Sequence, residues 1–460
     1  MPIAAALTPE AYTGRLGATM QAPDEINLPM IRHWCQAMGD TNSGYLDDAF
    51  ATASSLRGIV APAAMTQVWT MPPLGSVPPE QDAVAELYAE LDSRGYRSIV
   101  ATNSNQTYRR PQRLGDRLSA TKKITDISAE KTTRLGRGRF VTTEIDIVDA
   151  AGHTVATQTH RVLKFQPSSS SAATAFRAPS ARRPRPNVTE DTAFYFDAAR
   201  QARLMIQRCA ACGEFQHPPL PACGRCHSFD VRAAQVSGRG QLYSYTVVHA
   251  PAVEPFDPPY VVALVALDEG PRVVAGLVGV DRQYVAIGMA LQATFTDFDA
   301  ELRLPMFRPR TSRDDAPNPP HATVTASELV VGTPLPELQI PITRRLIVTG
   351  AIATRDFQPV HHDAAYAQAQ GMPDIFTNIM TSQGLVTRVV TDWTGPEAEI
   401  RRLDLRLGAS NFPGDLLTLR GRIAEVDGCV ATISVVGTNS LGTHIEATLD
   451  VAVPQNGGAV

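Results

Sequence analysis

Two stretches of this chain cannot bury a core, and they divide everything else. Residues 166–188 are rich in Ser, Ala, Pro and Arg, with four serines at 168–171 and the run Arg182-Arg183-Pro184-Arg185-Pro186. Such a composition reads as a solvated, flexible tether. A second break is Asp314-Asp315-Ala316-Pro317-Asn318-Pro319-Pro320. The chain is thereby cut into a block at 1–165, a linker at 166–188, a block at 189–310, a linker at 311–322 and a block at 323–460. A length of 460 residues suits about three domains, so three separate cores are expected.

Composition excludes several classes. Net charge is −4 with no long basic stripe, which argues against a nucleic-acid partner. No stretch approaches the ~20 apolar residues that span a bilayer, so no membrane partner is expected. The first ten residues have neither a basic start nor an apolar core and do not read as a signal peptide. Four of the six cysteines lie between 209 and 226, while Cys35 and Cys429 are isolated. The isolated two read as buried small apolar residues, and a reducing, cytoplasmic location is expected.

The clustered four form two CxxC knuckles, Cys209-Ala-Ala-Cys212 and Cys223-Gly-Arg-Cys226. Together they offer four thiolates, the closed tetrahedral shell of a structural zinc. Iron in the same shell is the alternative. No coordination position is left for substrate, so Cys209, Cys212, Cys223 and Cys226 should hold the fold rather than do chemistry. After them come β-rich runs at 231–248, 260–267, 272–278 and 289–295, with Gly238, Gly240, Gly270 and Gly288 at turns. A small five-stranded barrel, an OB fold, is expected.

The first and third blocks look alike. Each has an Asp-containing loop, a helix-like segment and long strands of alternating pattern. Gly115-Asp116 and Gly414-Asp415 open comparable strand regions, and Gly152-His153-Thr154 parallels Gly442-Thr443-His444. Residues 376–393 are apolar at helical spacing (Ile379, Met380, Val386, Val390) and stop at Gly395-Pro396.

The chemistry concentrates in Arg355-Asp356-Phe357-Gln358-Pro359-Val360-His361. Proline disfavours helix at the residue before it, so a carboxylate and an imidazole five residues apart are expected to converge across a bend. Aimed at one point, they can hold a water, take its proton and return a proton to a substrate. This stretch resembles the hydratase motif of MaoC-like, R-specific enoyl-CoA hydratases, with Asp356, Pro359, Val360 and His361 matching and Gln358 where the family usually has Asn. Block one carries a related segment, Asp40-Thr41-Asn42-Ser43-Gly44-Tyr45, in which Tyr45 stands where the His belongs. A phenol with a pKa near 10 is a poor proton acceptor near neutrality, so this half reads as catalytically degenerate.

The resemblance extends over nearly the whole chain. Residues 326–453 look like the small MaoC subunit of actinobacterial steroid side-chain hydratases, through Ala353-Thr354-Arg355-Asp356, Gly371-Met372-Pro373, Phe376-Thr377-Asn378 and Asp392-Trp393-Thr394-Gly395-Pro396. Blocks one and two look like the large subunit, a MaoC-like domain followed by a DUF35 domain. The resemblance implies an α+β chain with two hot-dog domains paired as a double hot dog and a zinc ribbon plus OB fold between them. It implies syn hydration of a 2-enoyl-CoA on a steroid or bile-acid side chain, with the CoA thioester as substrate. Asp356 would be the base and His361 would orient water. A backbone N–H near Asn378, where the family usually has His-Gly, would stabilise the thioester oxygen. The DUF35 domain would dock a thiolase-fold aldolase, and a homo-oligomer is expected. The competing reading is a non-catalytic scaffold that binds acyl-CoA.

Overall fold

The computed structural model describes residues 8, 11–76, 79, 81–167, 183–251, 256, 258–278, 280, 282, 285–298, 301–310 and 323–455. The chain forms two compact units. One holds the first and third blocks, and the other holds the middle block.

The first unit is built on one 11-stranded sheet. Its path runs Met20–Gln21, Leu118–Ile127, Gly136–Asp149, Thr154–Pro167, Ser98–Tyr108, Glu399–Leu407, Gly442–Ala452, Val430–Asn439, Asp415–Asp427, Leu338–Ile342, with Lys131–Thr133 paired on Gly136–Asp149. The two blocks meet in the middle. Ser98–Tyr108 and Glu399–Leu407 pair antiparallel, with Arg402 opposite Thr107 and Arg406 opposite Asn103. The paired hot dogs therefore share a continuous ladder of backbone hydrogen bonds.

The duplication extends to individual caps. Asn27 and Thr343 each cap a helix, accepting from Met30 N at 3.1 Å and Leu346 N at 3.0 Å. Asp47 and Asp363 each cap a short later helix, Asp48–Ala53 and Ala364–Ala369, accepting from Phe50 N and Tyr366 N at 3.0 Å. Asp40 N bonds to Cys35 O at 2.8 Å and Asp356 N to Ala351 O at 3.0 Å. Each pair is separated by the same 316 positions (343 − 27).

The halves differ in their central helix. In the third block Ile379–Thr394 is one 16-residue helix, capped by Asn378 and buried on almost every side. At Gly384 an added Cβ would lie 2.7 Å from the Trp34 ring and 2.9 Å from Met38 Sδ, so only glycine lets the helix Leu28–Met38 approach this closely. In the first block the corresponding segment is broken. Two short 3-10 turns, Ala63–Met65 and Val68–Thr70, run into Pro72-Pro73, and a separate helix, Ala83–Ser93, starts at the Asp82 cap. Proline ends a helix at or before its preceding residue.

In the middle unit, Phe215–Gln216, Met205–Cys209 and Val231–Gln235 form a small ribbon. Arg239–Val248, Tyr260–Leu267, Arg272–Leu277, Arg303–Pro309 and Ala290–Asp297 close into a barrel in that order. The run expected at 231–248 is two strands, split near Gly238, whose φ of 72° is the left-handed region glycine enters without strain. Ile206, Ala263, Val265, Val273, Leu291 and Phe307 fill the interior.

Most of the two expected linkers, 168–182 and 311–322, lies outside the described residues. The strand Thr154–Pro167 continues two residues past the expected end of block one. Arg183, expected in a free tether, lies over the rings of Phe298 (4.0 Å) and Phe256 (4.9 Å). No helix among the described residues is long and apolar enough to cross a membrane.

Candidate active site

The helix Arg344–Ala353 ends in a Schellman motif that sets Asp356 in place. Arg355 N bonds to Ile352 O at 3.0 Å, Asp356 N bonds to Ala351 O at 3.0 Å, and Arg355 takes φ = 56°. Glycine is usual at such a position. An arginine there holds the backbone in a conformation that costs about 1–2 kcal/mol, one residue before the carboxylate. Pro359 then opens the short turn Pro359–His361, which carries the imidazole back.

The two groups meet as expected. His361 Nε2 lies 3.5 Å from Asp356 Oδ2, and both side chains are largely buried. His361 Nδ1 lies 2.7 Å from the Phe376 carbonyl oxygen, so Nδ1 carries the proton and donates it there. The ring stands edge-on to Phe376, 5.1 Å between centroids. In neutral His361 the Nε2 lone pair therefore faces a carboxylate oxygen. Two acceptors directed at one place are satisfied by a molecule with two O–H groups, which is water.

Burial alone would raise the Asp356 pKa. His361, the Gln358 N–H and the Asn378 side chain outweigh burial and hold it below the ordinary carboxylate value. Asn378 donates from Nδ2 to Thr354 Oγ1 at 2.7 Å and accepts from Thr381 N at 2.7 Å. It thus ties the end of one helix to the start of the next. Among the described residues its own backbone N–H has no acceptor, and it stands at the positive end of a 16-residue helix.

Behind this helix start is a pair the sequence did not single out. Ser382 Oγ lies 2.9 Å from His444 Nε2 and 3.3 Å from Asn378 O, and His444 Nδ1 lies 2.5 Å from Ala409 O. Burial pushes the His444 pKa down to about 4, although the Ala409 carbonyl opposes this. Neutral His444 therefore donates from Nδ1 and accepts from the Ser382 hydroxyl at Nε2.

The sign of the resulting pH dependence follows from the lowered value. His444 stabilises the fold fully above its unfolded pKa of ~6.5, and that contribution is lost as pH falls toward 4, on the order of 3 kcal/mol in all. Unfolding midpoints measured from pH 7 to pH 4 are expected to fall less steeply in His444→Gln than in the parent. Identical slopes would rule the assignment out.

The first half lacks the pairing. Burial raises Asp40 to about 6; the Asn42 N–H opposes the rise and Asp392 adds to it. Tyr45 is buried, and burial drives its pKa well above the usual phenol value. Position 45 carries a phenol where the third block has an imidazole, so Asp40 lacks the side-chain partner that lowers Asp356.

In the middle unit the four cysteine sulfurs all lie within 4.8 Å of one another. Cys209 Sγ to Cys226 Sγ and Cys212 Sγ to Cys223 Sγ are each 3.6 Å. Four sulfurs at about 2.3 Å from a zinc ion form a tetrahedron with edges near ~3.8 Å, so the set fits. Backbone N–H groups of Cys226 and Arg225 pull Cys223 down to about 7, and that of Cys212 lowers Cys209. The Glu214 N–H lowers Cys212, but burial and hydrogen bonding to the other three sulfurs push it up to about 12, a penalty a divalent cation would remove.

Residues 327–444 match the MaoC like domain, 16–158 the FAS1-like dehydratase domain region, 196–232 the ChsH2 rubredoxin-like zinc ribbon domain and 233–296 the ChsH2 C-terminal OB-fold domain. A probable enoyl-CoA hydratase alpha subunit of Thermomonospora curvata is 45% identical over 311 residues, 67% of this chain and 97% of the relative. The beta subunit of a 3-oxo-4,17-pregnadiene-20-carboxyl-CoA hydratase from Mycobacterium tuberculosis is 48% identical over 124 residues, 27% of this chain and 96% of that subunit. A solved MaoC-like dehydratase, 17% identical, superposes over 96% of this chain and 99% of its own with a TM-score of 0.53, which shows a shared fold.

Proposed function

Because the chain belongs to the family of MaoC-type enoyl-CoA hydratases with a ChsH2-like zinc ribbon and OB fold, we propose that its third block adds water across the 2,3 double bond of a ring-bearing 2-enoyl-CoA. The observation that carries this reading is the convergence of Asp356 and His361, 3.5 Å apart, with the His361 Nδ1 proton held by the Phe376 carbonyl. Asp356, held ionised, takes one proton from water. The oxygen bonds to Cβ while the π electrons move to the thioester, whose oxygen accepts the Asn378 N–H. His361 orients the water and helps pass the proton held by Asp356 on to Cα, so the carboxylate ends ionised again and water adds with no net change elsewhere.

The substrate we assign is a steroid or bile-acid side chain, a propenoyl-CoA on a ring. Support comes from the 48% identity over 124 residues to the beta subunit of a pregnadiene-carboxyl-CoA hydratase. Alpha-like and beta-like parts occur here in a single chain. The ribbon and barrel would hold a structural zinc and dock a thiolase-fold aldolase, which would cleave the hydrated product in the cytoplasm. In support, this unit has no acid–base pair comparable to Asp356–His361 among its described residues. It also presents Phe229, Val274 and Ile287 largely exposed.

Adding the purified chain to a ring-bearing 2-enoyl-CoA should bleach the enone-thioester absorbance. Binding without bleaching would leave only the acyl-CoA scaffold. Co-expressed 1–167 and 323–460 should hydrate without retaining the aldolase. Retention by these halves would place docking elsewhere.

A further inference from the structure

The first half reaches the catalytic segment of the third block through two strands. On Ser98–Tyr108, Val100 packs against the Phe376–Phe412 cluster, and Ser98 Oγ lies 2.8 Å from Gln370 Oε1. Farther along, Ser104 is fully buried and accepts from Gln383 of the central helix at 2.7 Å and from Gln158 at 2.9 Å. Side chains two apart on a strand share a face. His160, next but one to Gln158 and directly opposite Ser104, therefore faces the same helix. Its other neighbour is Thr143.

His160 Nδ1 is buried with no hydrogen-bond partner among the described residues. A polar atom in that situation costs stability unless something meets it. The groups acting on the ring are also telling. Burial pushes its pKa down to about 4, Lys122 pushes the same way, and Asp356 opposes both. His160 is thus neutral near pH 7 and lies within the field of the catalytic carboxylate, although it belongs to the half without a catalytic histidine.

We propose that His160 is a further residue of the hydration site, supplied by the first half, whose imidazole hydrogen-bonds the oxygen that is the attacking water before reaction and the β-hydroxyl after it. This rests on the hydratase reading above. A neutral imidazole can donate once and accept once. It can steer the water's lone pair toward Cβ while Asp356 takes the proton, and it takes no proton itself. The pairing of the two hot dogs then has a chemical purpose, since the third block alone would lack this contact.

The test uses the full chain with His160→Phe, which keeps the bulk and removes the hydrogen bond, and His160→Gln, which restores a polar contact. His160→Phe is expected to lower kcat about 10-fold, the size of one hydrogen bond, with KM changed less than about threefold and no fall in Tm. His160→Gln should recover most of the rate. A kcat for His160→Phe within twofold of the parent would overturn the proposal. If Phe does not fold, His160→Leu takes its place under the same criterion. Asp356→Asn run in parallel separates the two readings: unaltered activity there would refute the hydratase site, whereas loss there with full kcat at His160→Phe would refute the His160 role alone.

Discussion

Asp356→Asn is expected to lower hydration at least ~10²-fold, the scale of a positioned acid–base group. The amide keeps the shape and the contacts to Gln358 N–H but cannot take a proton. His361→Ala should cost as much for a different reason. It removes the acceptor that shares the water, the bond to the Phe376 carbonyl, and the partner that keeps Asp356 ionised. A second signature separates the two. In the parent the base has a lowered pKa, so the rate should not fall through loss of Asp356 until pH drops below the ordinary carboxylate range. Without His361 the carboxylate keeps only the Gln358 N–H and the Asn378 side chain against burial, much as Asp40, opposed mainly by the Asn42 N–H, sits at about 6, and an acid limb should move up toward neutrality. Tyr45→Phe should alter turnover less than about threefold, because that phenol lies near Asp40, away from the Asp356–His361 pair. Steady-state rates against pH for the four proteins check this. Equal losses at Tyr45 and His361 would overturn the division of labour.

Replacing any of Cys209, Cys212, Cys223 or Cys226 by Ser should unfold the middle unit, because a structural zinc contributes ~10 kcal/mol or more to such a site. The effect should spread beyond the ribbon. Cys209 ends the strand Met205–Cys209, and Ile206 and Leu204 of the same stretch pack into the core shared with Leu242, Val265 and Phe307 of the barrel. Releasing the thiolate frees the strand, and the barrel loses one wall of its core. One metal per chain is expected by mass spectrometry, with chelation exposing the cysteines to thiol reagents. A folded, soluble chain that carries no metal would end this account.

What was legible in the sequence is local. The knuckles are two short loops within 18 residues, and the bond network that brings their sulfurs together lies inside the same stretch. Asp356 and His361 are likewise five residues apart, with a proline between them that forces the bend. The strand Ser98–Tyr108 was not legible, although it joins the two halves. Ser104 and Gln106 face inward yet are polar, so the alternation that marks a half-buried strand is absent. Polar side chains are stable there because Gln106, Gln158 and Gln383 all donate to Ser104, and two of those partners lie 54 and 279 residues away. The broken helix of the first half was also hidden, since one apolar helix-like segment reads the same whether it is continuous or interrupted.

The Asp–His pair and the four thiolates were thus determined by the sequence itself, through chain connectivity over a few residues. The tautomer of His361, the Ser382–His444 support and the placement of His160 toward Asp356 were decided only by the tertiary structure. The first depends on a carbonyl fifteen residues away. The other two depend on which strand pairs with which across the shared sheet, and register over hundreds of residues is set by burying both faces at once rather than by any local preference.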